Sequence, residues 1–145
     1  MSDFGSYEQI GVDLDKDSHV AVVEIQKPPY NFFNIEMIKE IAEAYEALDG
    51  ENDCRAIVLA AQGKAFCAGA DLKRTGDDRP FQIDHSDPSQ KIGDLFRLVD
   101  RCPLPMIARV NGHAVAGGLG LVAMCDMAVT TDTANFGAPE TRIGV

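Results

Sequence analysis

Twice in 145 residues, a short and largely apolar run ends in a turn built mostly of alanine and glycine. The run AIVLAA at 56–61 leads into AFCAGAD at 65–71, and MIARV at 106–110 leads into NGHAVAGGLG at 111–120. Apolar runs of this length between polar residues mark strands buried on both faces, which belong inside a parallel sheet. Small residues beyond each strand let the backbone approach a neighbour or a ligand closely, with its N–H groups free to face outward. A chain with two such units is constrained towards a layered α/β arrangement.

The remaining sequence fills in the layers. Residues 7–14 and 19–25 are strand-like and flank Asp15-Lys16-Asp17-Ser18, which reads as a hairpin loop. The valine-rich HVAVVEI is the more central strand, and Lys27-Pro28-Pro29-Tyr30-Asn31 breaks it. Asn34 is an N-cap for a helix over 35–48, where Ile35, Ile38, Ile41, Ala42, Tyr45 and Leu48 recur at helical spacing. Asp49-Gly50 ends it. Residues 74–89, with Asp77, Asp78, Pro80, Asp84, Asp87 and Pro88, read as a mobile surface loop or lid. A helix over 90–101 follows, stopped by Pro103 and Pro105, then the second buried strand. A short helix at 119–124 and strands at 127–131 and 134–137 complete an α/β fold with a largely parallel sheet, read as one domain over 1–145. The repeat of strand, alanine–glycine turn and helix resembles a spiral of ββα turns.

Composition narrows the function classes. A net charge of −10 argues against nucleic-acid binding and against anionic membrane surfaces. No apolar run reaches membrane-spanning length. Cys54, Cys67, Cys102 and Cys125 form no CxxC pair, and the polar start MSDFGSYEQ is not a signal peptide. Reduced thiols in a cytoplasmic protein are therefore expected. His19, His85 and His113 stand alone, so no metal site is expected.

Three segments could carry chemistry. The first is 65–71, a close-approach turn or a plain strand-to-helix connection. The second is 111–120, where Gly117-Gly118 opens a helix and leaves N–H groups without helical partners. Gly118-Leu119-Gly120-Leu121-Val122-Ala123 also fits GxGxxA, with Asp132 downstream as in a dinucleotide fingerprint. That reading fails because seven residues separate Val110 from Gly118, and the helix is too short before Asp126 for such a crossover. The third is Glu140 after Pro139, a candidate for a raised pKa and acid/base work. Taken singly, an isolated glutamate is more often a solvated loop carboxylate.

Together, FCAGADL (66–72), VNGHAVAGGLGLVAMCD (110–126) and TANFGAPETRIGV (133–145) resemble the crotonase superfamily, the enoyl-CoA hydratase/isomerase family. The resemblance spans essentially the whole chain and about the N-terminal half of a family member. It implies the crotonase-like (ClpP/crotonase) spiral, with the C-terminal part absent from this chain. It also implies a thioester enolate held in an oxyanion hole of two backbone N–H groups, those of Ala70 and Gly117, with Glu140 as acid/base. By the same resemblance, Ala68, Asp71 and Leu72 line the CoA adenine pocket and Lys27 and Asn31 sit near the CoA entrance. Gly69 and Gly118 complete the binding loops. No separate cofactor is implied, since CoA belongs to the substrate, and the complete family fold implies a homotrimer or hexamer. One departure matters. Two-glutamate hydratases carry their first glutamate where this chain has Gly120. This favours chemistry that one carboxylate can run, such as double-bond isomerisation, and leaves open a hydratase relying on Glu140. It also leaves a non-catalytic acyl-CoA-binding or scaffold paralogue as the alternative.

Overall fold

The computed structural model describes residues 4–70, 86 and 92–143. In chain order its elements are β1 (Ile10–Asp15), β2 (Val20–Ile25), α1 (Ile35–Asp49), β3 (Ala56–Ala61), α2 (Ile92–Asp100), β4 (Met106–Val110), β5 (Ala114–Val115), α3 (Gly117–Ala123), β6 (Met127–Thr130), β7 (Phe136–Gly137) and α4 (Glu140–Ile143). The main sheet runs β1-β2-β3-β4-β6. Only its β1–β2 pair is antiparallel, as the expected hairpin. Asp15 closes that hairpin by accepting hydrogen bonds from Ser18 Oγ at 2.7 Å and from the Asp17 N–H at 3.0 Å.

Register explains the core. Ala21, Val23 and Ile25 of β2 align with Ile57, Leu59 and Ala61 of β3, and Ile57 and Leu59 with Met106 and Ala108 of β4. Strand alternation puts all of these on one face, and all are buried. Helix α1 contributes Ile35, Met37, Ile38, Ile41, Ala44, Tyr45 and Leu48 to the same core, while Ala42 is only partly buried. It starts where Asn34 Oδ1 accepts the Met37 N–H at 2.9 Å, a cap worth about 1 kcal/mol. It ends where the Gly50 N–H turns back to the Glu46 carbonyl at 3.2 Å. Helix α2 packs on α1.

The outermost strand behaves differently. All four residues of β6 are exposed, Met127 at 61% and Val129 at 66%. No helix among the described residues is long and apolar enough to cross a membrane.

Several elements depart from the sequence expectations. Helix α3 begins at Gly117 rather than residue 119, so both glycines are helical. Their poor intrinsic helix preference is overridden by what their bare backbones touch, described below. β5 and α4 are two and four residues long, too short to show a period. They were not expected. β7 pairs in parallel with β5 in a second small sheet and is shorter than the strand expected over 134–137. Residues 74–89, read as a loop, lie outside the described residues apart from Ser86, as do residues 90–91 at the expected start of the second helix.

Candidate active site

Three stretches converge beside the ends of β3 and β4: the segment 27–33, the first loop (62–70) and the second loop (111–116, containing β5). Asn31 ties the first two together. It is fully buried with φ 50°, in the left-handed region that asparagine tolerates. Its Nδ2 donates to the carbonyls of Gln62 (2.6 Å) and Ala65 (2.8 Å), and its Oδ1 accepts the Lys27 N–H at 2.9 Å. Both amide hydrogens are thus spent inside the fold, and Asn31 acts on the first loop as a clamp. Nearby, the Ala68 N–H donates to the Tyr30 carbonyl at 3.0 Å. Lys27 and Ala68 are both partly buried.

The two loops are bonded directly to each other. His113 O accepts the N–H groups of Phe66 (3.0 Å) and Cys67 (3.2 Å), and the Val115 N–H returns to the Cys67 carbonyl at 3.1 Å. Asn111 Nδ2 donates to the Gly63 carbonyl at 2.8 Å. Side chains would hold the loops apart. Gly69 has φ 84°, and an added Cβ would lie 2.8 Å from the Ala116 Cβ. At Gly118 an added Cβ would fall on the Cys67 carbonyl oxygen, and at Gly117 inside the ring of Phe33. Gly69 and Gly118 are buried, whereas Ala70 and Gly117 keep partial solvent access. Burial also pushes the Cys67 thiol up to about 11, so it stays protonated at neutral pH and is a poor nucleophile.

Two N–H groups stand out because the fold does not consume them. Phe33 and Ala70 form a parallel bridge in which the Phe33 N–H donates to the Gly69 carbonyl at 3.0 Å. In that register Phe33 supplies the bonding groups, so the Ala70 N–H points to the opposite side. The Cys67–Ala114 bridge has the same form, and there the Ala114 N–H goes to the Asn135 carbonyl at 3.0 Å. Among the described residues no acceptor meets the Ala70 N–H. Gly117 is the first residue of α3, so its N–H has no helical partner either. The residue before it, Ala116, holds φ 53° and ψ −125°, a conformation that costs an L-residue about 1–3 kcal/mol. Its N–H is anchored on the Gly137 carbonyl at 2.8 Å.

That anchor brings β7 against the second loop, and Glu140 follows three residues after Gly137. Glu140 Oε2 is shut off from solvent with no hydrogen-bond partner. An unpaired buried carboxylate oxygen costs free energy and has acceptor capacity to spare. Gly120 lies on α3 facing α2, where an added Cβ would meet the Phe96 ring at 3.6 Å, an ordinary contact. Nothing steric therefore requires glycine there. Asp71 and Leu72 lie outside the described residues.

Sequence reading overlooked Phe33, which touches the first loop and the start of α3. The local signal was an apolar residue directly before a helix cap, a position that often packs inward. A cavity of about 350 Å³ between α1 and α2, lined by Lys39, Ala42, Tyr45, Leu98 and Arg101 among others, includes none of the loop residues.

Residues 15–145 match the family model described as enoyl-CoA hydratase/isomerase. Over 135 residues the chain is 36% identical to a probable enoyl-CoA hydratase of Mycobacterium tuberculosis, covering 92% of this chain and 52% of that protein. It is 30% identical over 150 residues to the mitochondrial Δ(3,5)-Δ(2,4)-dienoyl-CoA isomerase of Rattus norvegicus, covering 97% and 46%. The crystal structure of an enoyl-CoA hydratase from Mycobacterium smegmatis superposes with a TM-score of 0.79 at 35% identity, covering 95% of this chain and 53% of that one. The chain thus spans about half the length of the relatives it matches. The expected crotonase fold is the one observed, and this chain belongs to the enoyl-CoA hydratase/isomerase family of the crotonase superfamily.

Proposed function

We infer that the two loops hold the carbonyl of an acyl-CoA thioester and that Glu140 moves a proton on the bound acyl group. The observation that supports this most is the pair of unspent N–H groups, Ala70 and Gly117, carried on loops bonded to each other. Glu140 would take a proton from the carbon next to the thioester. The electron pair would move onto the thioester oxygen, where the two N–H groups stabilise the enolate. Each such donor is worth about 3 kcal/mol of barrier. Returning the proton at the γ carbon shifts the double bond, and one carboxylate suffices.

Gly120 supports isomerisation over two-carboxylate hydration. Hydration using Glu140 alone is the nearest variant of the same chemistry. Ala68, Asp71 and Leu72 would receive the adenine of CoA, with Lys27 at the entrance. Asn31 would act there indirectly, by holding the first loop. No separate cofactor enters the reaction, and a homotrimer or hexamer in the cytoplasm is the proposed state of the full natural polypeptide.

Glu140→Gln tests the assignment in the full natural polypeptide. The expected result is turnover of 3-enoyl-CoA reduced by about 10²–10⁴-fold with acyl-CoA binding retained. Unchanged turnover would remove Glu140 from the mechanism. Saturable acyl-CoA binding by the unaltered protein with no proton exchange would instead favour the non-catalytic reading that the missing carboxylate at Gly120 raises.

A further inference from the structure

We propose that Phe33 is a positioning residue of this site, one buried side chain that sets the spacing between the Ala70 and Gly117 N–H groups. The proposal rests on the oxyanion reading above. Phe33 touches both halves of the pair by separate means. Its backbone forms the bridge to Ala70, with its N–H on the Gly69 carbonyl at 3.0 Å. Its ring lies against the bare Cα of Gly117, so close that a methyl group there would enter the ring. One rigid residue therefore spans from one donor's strand to the other donor's helix start.

Phe33 is itself held on both sides. Asn31, two residues earlier, is buried and tied to the Gln62 and Ala65 carbonyls. Asn34, the next residue, caps α1 through the Met37 N–H. Phe33 is 6% exposed and belongs to the main core. Core packing thus fixes the ring, and the ring limits how near Gly117 comes to Ala70. Two N–H groups converging on one oxygen are sensitive to such spacing, since a displacement of about 1 Å can cost roughly 100-fold in rate. The direct loop-to-loop bonds end at Val115, and Ala116 bonds instead to Gly137 of β7, so neither reaches Gly117. The ring of Phe33 is what meets the next residue.

The test compares Phe33→Ala and Phe33→Leu in the full natural polypeptide with 3-enoyl-CoA, after folding is checked by near-UV circular dichroism. Phe33→Ala is expected to lower kcat roughly 100-fold with KM within about threefold. The thioester carbonyl stretch of bound ligand should return towards its free value, and the Ala70 and Gly117 amide resonances should move together. Phe33→Leu keeps bulk against Gly117 and should retain activity within about tenfold of the unaltered protein. A folded Phe33→Ala protein with unchanged kcat and carbonyl stretch would overturn the proposal.

If Phe33→Ala does not fold, Gly117→Ala puts the same question. Its loss should shrink when residue 33 is leucine, because the added methyl then meets a smaller neighbour. Additive losses would contradict the proposal. An unaltered protein that neither polarises the thioester carbonyl nor exchanges substrate protons would defeat the oxyanion reading itself. That outcome is distinct from one in which only the Phe33 variants behave like the parent.

Discussion

The two loops leave neighbouring parallel strands, β3 and β4, and use the same small residues, yet each frees a backbone N–H in its own way. In the first loop the register of a single strand bridge turns the Ala70 N–H away, and Gly69 supplies the positive φ without strain. In the second a seven-residue helix begins at Gly117, and Ala116 takes up a positive φ that alanine does not favour. The first solution is relaxed and depends on a partner strand. The second is strained and depends on its anchors, the Gly137 carbonyl for Ala116 and the Phe33 ring for Gly117. One site is thus assembled from two devices with different weaknesses.

Deleting the donor on the strained side should have the largest effect. Gly117→Pro removes the N–H and is expected to lower kcat by about 10²–10³. Far-UV circular dichroism must show α3 intact, because the ring of proline could disturb the loop. Asn31→Ala attacks the relaxed side through its clamp. Stranding the Gln62 and Ala65 carbonyls should cost about 3 kcal/mol in urea unfolding. A loss below about 0.5 kcal/mol would mean the first loop does not need the clamp.

A smaller pair of substitutions sharpens the contrast by sign. Gly69→Ala should destabilise by about 2 kcal/mol, since it places a Cβ at positive φ and against Ala116. Ala116→Gly should leave stability unchanged or raise it by about 1 kcal/mol, because relief of strain outweighs the added freedom of the unfolded chain. Equal losses at both positions would show that the loops do not differ in strain.

Much of the fold was legible because local signals agreed. The Asn34 cap, the spacing from Ile35 to Leu48 and Gly50 defined α1 to within a residue, while Arg55 and Gln62 bounded β3 and Pro105 and Asn111 bounded β4 at their observed ends. β5 and α4 were hidden by their brevity. The early start of α3 was hidden because contacts from Phe33 and Cys67, distant in sequence, decide it. The candidate site was legible only as a combination. Ala70 and Gly117 are ordinary small residues in isolation, and it was the resemblance that singled them out. The clamp by Asn31 and the ring of Phe33 could not be read, since each acts on residues 31 to 84 positions away.

Mass spectrometry of 3-enoyl-CoA and crotonyl-CoA incubated with the full natural polypeptide in D₂O tests whether Glu140 and the two N–H groups together run enolate chemistry. The expected result is a shifted double bond in the 3-enoyl substrate, with or without deuterium at carbon. Saturable binding of both thioesters with neither a shifted double bond nor deuterium at carbon in either would contradict it.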